Sequence, residues 1–145
     1  MGAAVQVLLV DDDQADIALI MEAFDAHRVP SRVHVAHDGI EALGFLRAGD
    51  GSRGSRPDMI LLDLNMPRMD GREVLAEIKR DPALATIPVV VFTTSDQPED
   101  IACSYARHAN AYVTKPLDLD AFARAVDSIH DFYGDLVQRP APRPA

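Results

Sequence analysis

The sequence predicts an α/β fold: an open, doubly wound parallel sheet of five strands alternating with five helices. Three observations lead there. Short apolar, β-rich runs recur (VQVLLV, MILL, VVVF, AYVT), as expected of strands buried on both faces. Between them lie stretches with apolar residues at helical spacing. The two kinds alternate along the whole chain without an internal repeat, which is the pattern of right-handed βαβ units.

The elements follow in order. Val5 to Val10 is nearly all apolar and reads as the first strand, followed by an amphipathic helix with Ile17, Ile20, Met21 and Phe24 at helical spacing. Ser31 to Ala36 is a second strand, and Asp38 to Arg47 a helix with Ile40, Leu43, Phe45 and Leu46 apolar. AGDGSRGSRP has no period and reads as a loop. The third strand runs from Asp58 to Leu62. A helix from Gly71 to Arg80 carries Val74, Leu75 and Ile78 and is closed by Asp81-Pro82. Pro88 to Phe92 is the fourth strand, and the next helix opens in SDQPED, where acids suit the positive end of the dipole. Ala109 to Thr114 is the fifth strand. Asp118 caps a last helix that reaches at least Ile129.

Four separated pieces each follow directly on an apolar run: Asp11-Asp12-Asp13, Asp63, Thr93 and Lys115. In an open parallel sheet the strand ends point one way, and ligands bind in the crevice outside them. These residues would therefore converge on one rim. Carboxylates forced together repel, so they keep protons or hold a hard cation. Mg²⁺ suits such a site, because it takes a few carboxylates, keeps several waters and reaches a phosphate. A lysine ammonium suits a phosphoryl group as a point charge, and a carboxylate can itself be a nucleophile that forms an acyl phosphate. Lys115 stands out because the chain has two lysines against twelve arginines.

Composition narrows the classes. The 145 residues are enough for one ordinary domain. A net charge of −9, from 23 acidic and 14 basic residues, argues against a nucleic-acid surface. No apolar run is long enough to span a membrane. The start lacks the basic region of a signal peptide, and one cysteine fits a reducing, cytoplasmic setting. His27, His34, His37, His108 and His130 show no metal-ligand spacing and read as surface or half-buried; Cys103 reads as a small buried apolar residue.

Together these segments, from about Val5 to Ile129, resemble a response-regulator receiver domain (CheY-like). LLDLNMPRMDGREVLAEIK followed by IPVVVFTTS is similar, more narrowly, to the single-domain regulators paired with phytochrome-type histidine kinases. The resemblance implies the flavodoxin-like strand order 2-1-3-4-5. It implies that Asp63 accepts a phosphoryl group from a histidine kinase, and that Asp11 and Asp12 are the acidic pair, with Asp12 a direct Mg²⁺ ligand. Asn65 would lend a backbone carbonyl to the metal. Thr93 would be the switch hydroxyl, Tyr112 the switch aromatic and Lys115 the partner of the phosphoryl group. Asn65 and Ser95 occupy positions that tune the lifetime of the phosphoryl bond, and Pro116 matches a proline that often follows a cis bond. The face of the fourth helix, fifth strand and fifth helix would meet a downstream phosphotransfer or target protein. Two departures stand out: Asp13 is a third acid that either adds to the metal site or caps the helix, and Thr94 follows the switch threonine where many receivers carry alanine.

Rival readings fit less well. A haloacid-dehalogenase-like phosphatase wants an acid two residues after its nucleophile, where this chain has Asn65. A flavodoxin-like binder wants a glycine- or hydroxyl-rich phosphate loop after Val10. An adaptor that works without phosphorylation would not need Asp12, Asp63, Thr93 and Lys115 together. No DNA-binding element follows, so output is expected through protein contact or phosphate relay. The receiver is expected over 1–138, with a disordered proline-rich tail at 139–145. The last helix carries Phe122, Val126, Ile129, Phe132, Tyr133, Leu136 and Val137, and Phe132 and Val137 widen its apolar stripe toward a second face, which points to a homodimer through this helix and its neighbours.

Overall fold

The structure is a computed structural model that describes residues 4–48 and 56–136. Five strands form one parallel sheet in the order β2-β1-β3-β4-β5: β1 (Val5–Val10), β2 (Ser31–Ala36), β3 (Met59–Leu62), β4 (Val89–Thr93) and β5 (Ala111–Thr114). The helices are α1 (Gln14–Ala26), α2 (Gly39–Ala48), α3 (Gly71–Arg80), α4 (Pro98–Ala106) and α5 (Leu119–His130), and α5 continues into a π-helical segment at Asp131–Leu136. Fold class and strand order are as the sequence and its resemblance imply. Pairs such as Val10 with Ala36 and with Leu62, and Thr93 with Thr114, bring the carboxyl ends of the strands to one rim.

The period of two along a strand sorts side chains into two layers. Val5, Val7 and Leu9 of β1 pack with Ile17, Ile20 and Phe24 of α1 and Phe122, Val126 and Ile129 of α5. Leu8 and Val10 point the other way, into Ala42, Leu43 and Leu46 of α2 and Val74, Leu75 and Ile78 of α3. Each of the Val, Leu, Ile and Phe side chains contributes about 1.5–3 kcal/mol when fully buried. α4 is different, since Ser104 is its one buried residue.

Polar side chains move the strand boundaries. Asp58 lies before β3 because its carboxylate, not its carbonyl, accepts the Gln6 N–H at 2.9 Å. Asn110 lies before β5, its side-chain oxygen taking the Val89 N–H at 2.8 Å. Asp38 is outside α2 because its carboxylate accepts the Glu41 N–H at 2.8 Å, as a cap does. Thr93 joins β4 through its pairing with Thr114.

Three expectations are corrected. No peptide bond among the described residues is cis, so the bond before Pro116 is trans; trans is favoured by about 0.5–1 kcal/mol even before proline. His130 is fully buried, edge-on to Phe24 at 4.9 Å and stacked on His27 at 3.7 Å, because it continues the inward stripe of α5. Cys103 is half-buried, as α4 packs so little of itself. Residues 49–55 of the expected loop, Val137 and the 139–145 tail lie outside the described residues.

Candidate functional site

The rim is built from ladder positions. The Asp11 N–H donates to the Ala36 carbonyl at 3.0 Å, Asp63 N–H to Val10 at 2.9 Å and Lys115 N–H to Thr93 at 2.6 Å. Each residue is thus held by the neighbouring strand one step past its own. Gly71 keeps the turn after β3 tight: a Cβ there would lie 2.2 Å from the Asp63 carbonyl oxygen and 2.6 Å from the Leu64 Cα. Asp70 caps α3 by accepting the Arg72 N–H at 2.7 Å, so DG sets both the close approach and the helix start.

Lys115 lies at the centre, with its side chain 3% exposed. Its Nζ donates to Asp11 at 2.7 Å, to Asp16 at 2.8 Å and to Asp63 at 3.3 Å. The carboxylate oxygens of Asp11, Asp12 and Asp63 approach within 4.8 Å of one another. Four carboxylates (Asp11, Asp12, Asp16, Asp63) against one ammonium leave a net −3 when all are ionised. Burial lifts Asp11 to about 6, against the lowering pull of Lys115 and the Asp13 N–H, while its three acidic neighbours raise Lys115 above the ordinary lysine range. The ammonium therefore stays charged, and the unbalanced acids fit a hard divalent cation.

The acids divide their work. Asp11 spends one oxygen on Lys115 and the other on the Asp13 N–H at 2.9 Å. Asp12 is exposed and accepts no hydrogen bond among the described residues, so it is open to a cation. Asp13 is the α1 cap, accepting the N–H groups of Ala15 at 2.9 Å and Asp16 at 3.1 Å. Of its two expected roles, the structure supports the cap. Asp63 is buried; one oxygen faces Lys115 and the other accepts the Asn65 N–H at 3.2 Å.

Thr93 is fully buried, with its hydroxyl 3.5 Å from the Asn65 side-chain amide, at the outer limit of a hydrogen bond. The Tyr112 hydroxyl donates to the Ser95 carbonyl at 2.8 Å. The Ser95 hydroxyl donates to Asp100 on α4. Asp100 also takes Arg72 of α3 at 2.6 Å, and these two donors hold it below the usual carboxylate range. Arg72 in turn grips Asp70 at 3.0 Å. Thus α4 is tethered by charge rather than by a core.

Sequence reasoning missed Asp16, Arg72 and Asp100. Asp16 looks like an ordinary acid in a first helical turn, and the only signal was its position four residues after Asp12. His27, Asp127 and Asp131 also cluster. There the Val29 N–H donates to His27 Nδ1 at 3.0 Å, so the ring proton sits on Nε2, which donates to Asp131 at 2.9 Å. That nitrogen is a donor, and the cluster reads as a clasp between α1 and the end of α5.

Known proteins resemble this chain in sequence and fold. The chain is 43% identical over 136 residues to the response regulator Rcp1 of Synechocystis sp., covering 93% of this chain and 92% of that protein. A solved Mn²⁺-bound form of Rcp1 superposes with a TM-score of 0.88, over 94% of this chain and 99% of the other. The phosphorylated cyanobacterial phytochrome response regulator RcpA is 47% identical, with a TM-score of 0.90 over 96% of this chain and 100% of that one. FilR2 of Methanothrix harundinacea, a probable methanogenesis regulatory protein, is 41% identical over 94% of this chain and 88% of that protein. The family model for the response regulator receiver domain matches residues 7–127, and the chain belongs to that family.

Proposed function

We propose that this response regulator accepts a phosphoryl group on Asp63 from a histidine kinase, with Mg²⁺ as its cofactor. One observation carries the reading: a buried carboxylate lies 3.3 Å from a buried ammonium, beside two further acids that can share a cation. Asp63 attacks phosphorus as the P–N bond of a phosphohistidine breaks, and the departing imidazole nitrogen takes a proton from solvent. Lys115 gives its Asp63-directed N–H to a phosphoryl oxygen, and Thr93 moves its hydroxyl toward another. When bound by Asp12, Asp63 and the Asn65 backbone carbonyl, Mg²⁺ supplies the positive charge that offsets the incoming phosphoryl group.

The signal is a population shift. Moving Thr93 pulls on the segment that holds Ser95, and through it on Tyr112 and Asp100, so the α4–β5–α5 face changes. The phosphoryl group biases this equilibrium only by its different contacts in the two states. Asn65 stays beside the acceptor and tunes hydrolysis; Ser95 acts on lifetime through the segment it anchors. The partner kinase is of the phytochrome type, a reading supported by the likeness to the phytochrome response regulator RcpA, while FilR2 represents a different regulatory setting. The protein works in the cytoplasm as a receiver over 1–138 with a proline-rich tail. Among the described residues no helix is long and apolar enough to cross a membrane. Phe132 is 52% exposed beside half-buried Tyr133, which supports a homodimer through the C-terminal region. Sedimentation at tens of micromolar that finds only monomer, with and without phosphoryl donor, would remove the dimer.

The deciding test is intact mass after acetyl phosphate and Mg²⁺. A gain of about one phosphoryl group is expected for wild type, with none for Asp63→Asn and none without Mg²⁺. No adduct on wild type, even under rapid quench, would favour a phosphorylation-independent adaptor.

A further inference from the structure

We propose that Asp16, on the first turn of α1, is a positioning residue that aims the Lys115 ammonium at the phosphoryl group; this rests on the phosphoacceptor reading of Asp63. An ammonium has three N–H donors. Two are held at the short distances of charge-assisted bonds, 2.7 Å to Asp11 and 2.8 Å to Asp16. The third, to Asp63, is longer at 3.3 Å. Two tight bonds leave the loose third donor pointing at the carboxylate that is to be phosphorylated. That donor can pass to a phosphoryl oxygen without breaking the other two. With Asp11 alone, Nζ would be free to swing about a single anchor.

Asp16 is itself well fixed for this work. Its N–H donates to the cap residue Asp13 at 3.1 Å, which sets the first turn and the origin of its side chain. The positive end of the α1 dipole favours its charge. The side chain is 21% exposed, so the contact is neither a surface ion pair nor a fully desolvated one. Asp16 does not belong to the Asp11–Asp12–Asp63 cluster that can share a cation, which separates aiming the lysine from holding the metal. Asp13, by capping the helix that carries Asp16, joins the start of α1 to the same task.

The test follows intact mass over time with acetyl phosphate at saturating Mg²⁺ for wild type, Asp16→Asn, Lys115→Ala and the double variant, with thermal melting to confirm folding. Asp16→Asn is expected to slow phosphorylation by at least about tenfold. In the Lys115→Ala background the same change is expected to add nothing, because Asp16 acts through that ammonium. An unchanged rate in the single variant, or full additivity in the double, overturns the proposal. A second readout uses Lys79, the only other lysine, as an internal reference. Reductive methylation of Lys115 relative to Lys79 should rise several-fold in Asp16→Asn, and an unchanged ratio also overturns it. Wild type that takes no phosphoryl group defeats the phosphoacceptor reading instead, while the methylation ratio still reports whether Asp16 holds the lysine.

Discussion

The chain places its two lysines at opposite ends of the sheet, and their surroundings differ in kind. Lys115, at the carboxyl rim, is gripped by three carboxylates. Lys79, near the amino ends of β4 and β5, donates to the carbonyls of Ala85 and Ile87 at 3.0 Å each and reaches the Asn110 side-chain oxygen at 3.4 Å. Carboxylates raise Lys115 above its ordinary range, whereas burial among neutral oxygens lowers Lys79. One ammonium is bound into an excess of negative charge that calls for a cation and a phosphoryl group. The other closes a turn and asks for nothing more. The same side chain thus serves chemistry or architecture according to the charge of its acceptors.

Exchanging each lysine for methionine tests this contrast most severely. Lys115→Met is expected to slow phosphorylation by acetyl phosphate about 10²–10³-fold, the loss typical of one preorganised electrostatic donor, as read by intact mass. Lys79→Met should leave that rate within about twofold and lower stability in urea by about 1–3 kcal/mol, since it strands carbonyl acceptors. Its pH dependence sharpens the comparison. The folded pKa of Lys79 lies below the ordinary 10.5, so the unfolded chain binds more protons in the window between the two values. The term from Lys79 then rises with pH, and the stability advantage of wild type over Lys79→Met should grow from neutral pH toward 10.5. An advantage that shrinks would show that the carbonyls, not burial, govern Lys79.

Smaller effects separate roles within the rim. Asp13→Ala should lower stability by about 1 kcal/mol through loss of the α1 cap. The Mg²⁺ concentration for half-maximal phosphorylation should stay unchanged; a large shift would make Asp13 a metal residue after all. Arg72→Ala should cost less than about 1 kcal/mol, because its pairs are partly exposed. Even so, hydrogen exchange in α4 should quicken more than in α3, as α4 loses a tether and has little core to replace it.

The sheet was legible because strands buried on both faces must be apolar throughout and must stop where a polar group is needed. That is why Asp11, Asp63 and Lys115 could be placed on one rim from their positions alone. The strand edges were less legible, since Asp58 and Asn110 take ladder hydrogen bonds with side chains, which no periodicity reveals. His130 lay on the inward stripe with Val126 and Ile129, but its polarity hid the pattern that its spacing showed. Asp16 was hidden for the opposite reason: an acid suits a helix start so well that no further use was called for. Ser95 was expected to tune the phosphoryl lifetime, and nothing in the sequence signalled that its hydroxyl would bond Asp100, a contact that depends on where α4 lies.

The backbone bonds of Asp11, Asp63 and Lys115 to neighbouring strands carry a kinetic consequence. Their amides extend the ladder of a buried parallel sheet, although the sequence around them looks like loop. Opening any of them means prying apart the ends of two paired strands, not fraying a turn. They should therefore exchange with deuterium on the timescale of Leu9 and Leu61, many orders slower than exposed loop amides. A regulator of this construction keeps its acceptor in place until the whole sheet melts, so proteases and heat would erase its message and its fold at the same moment.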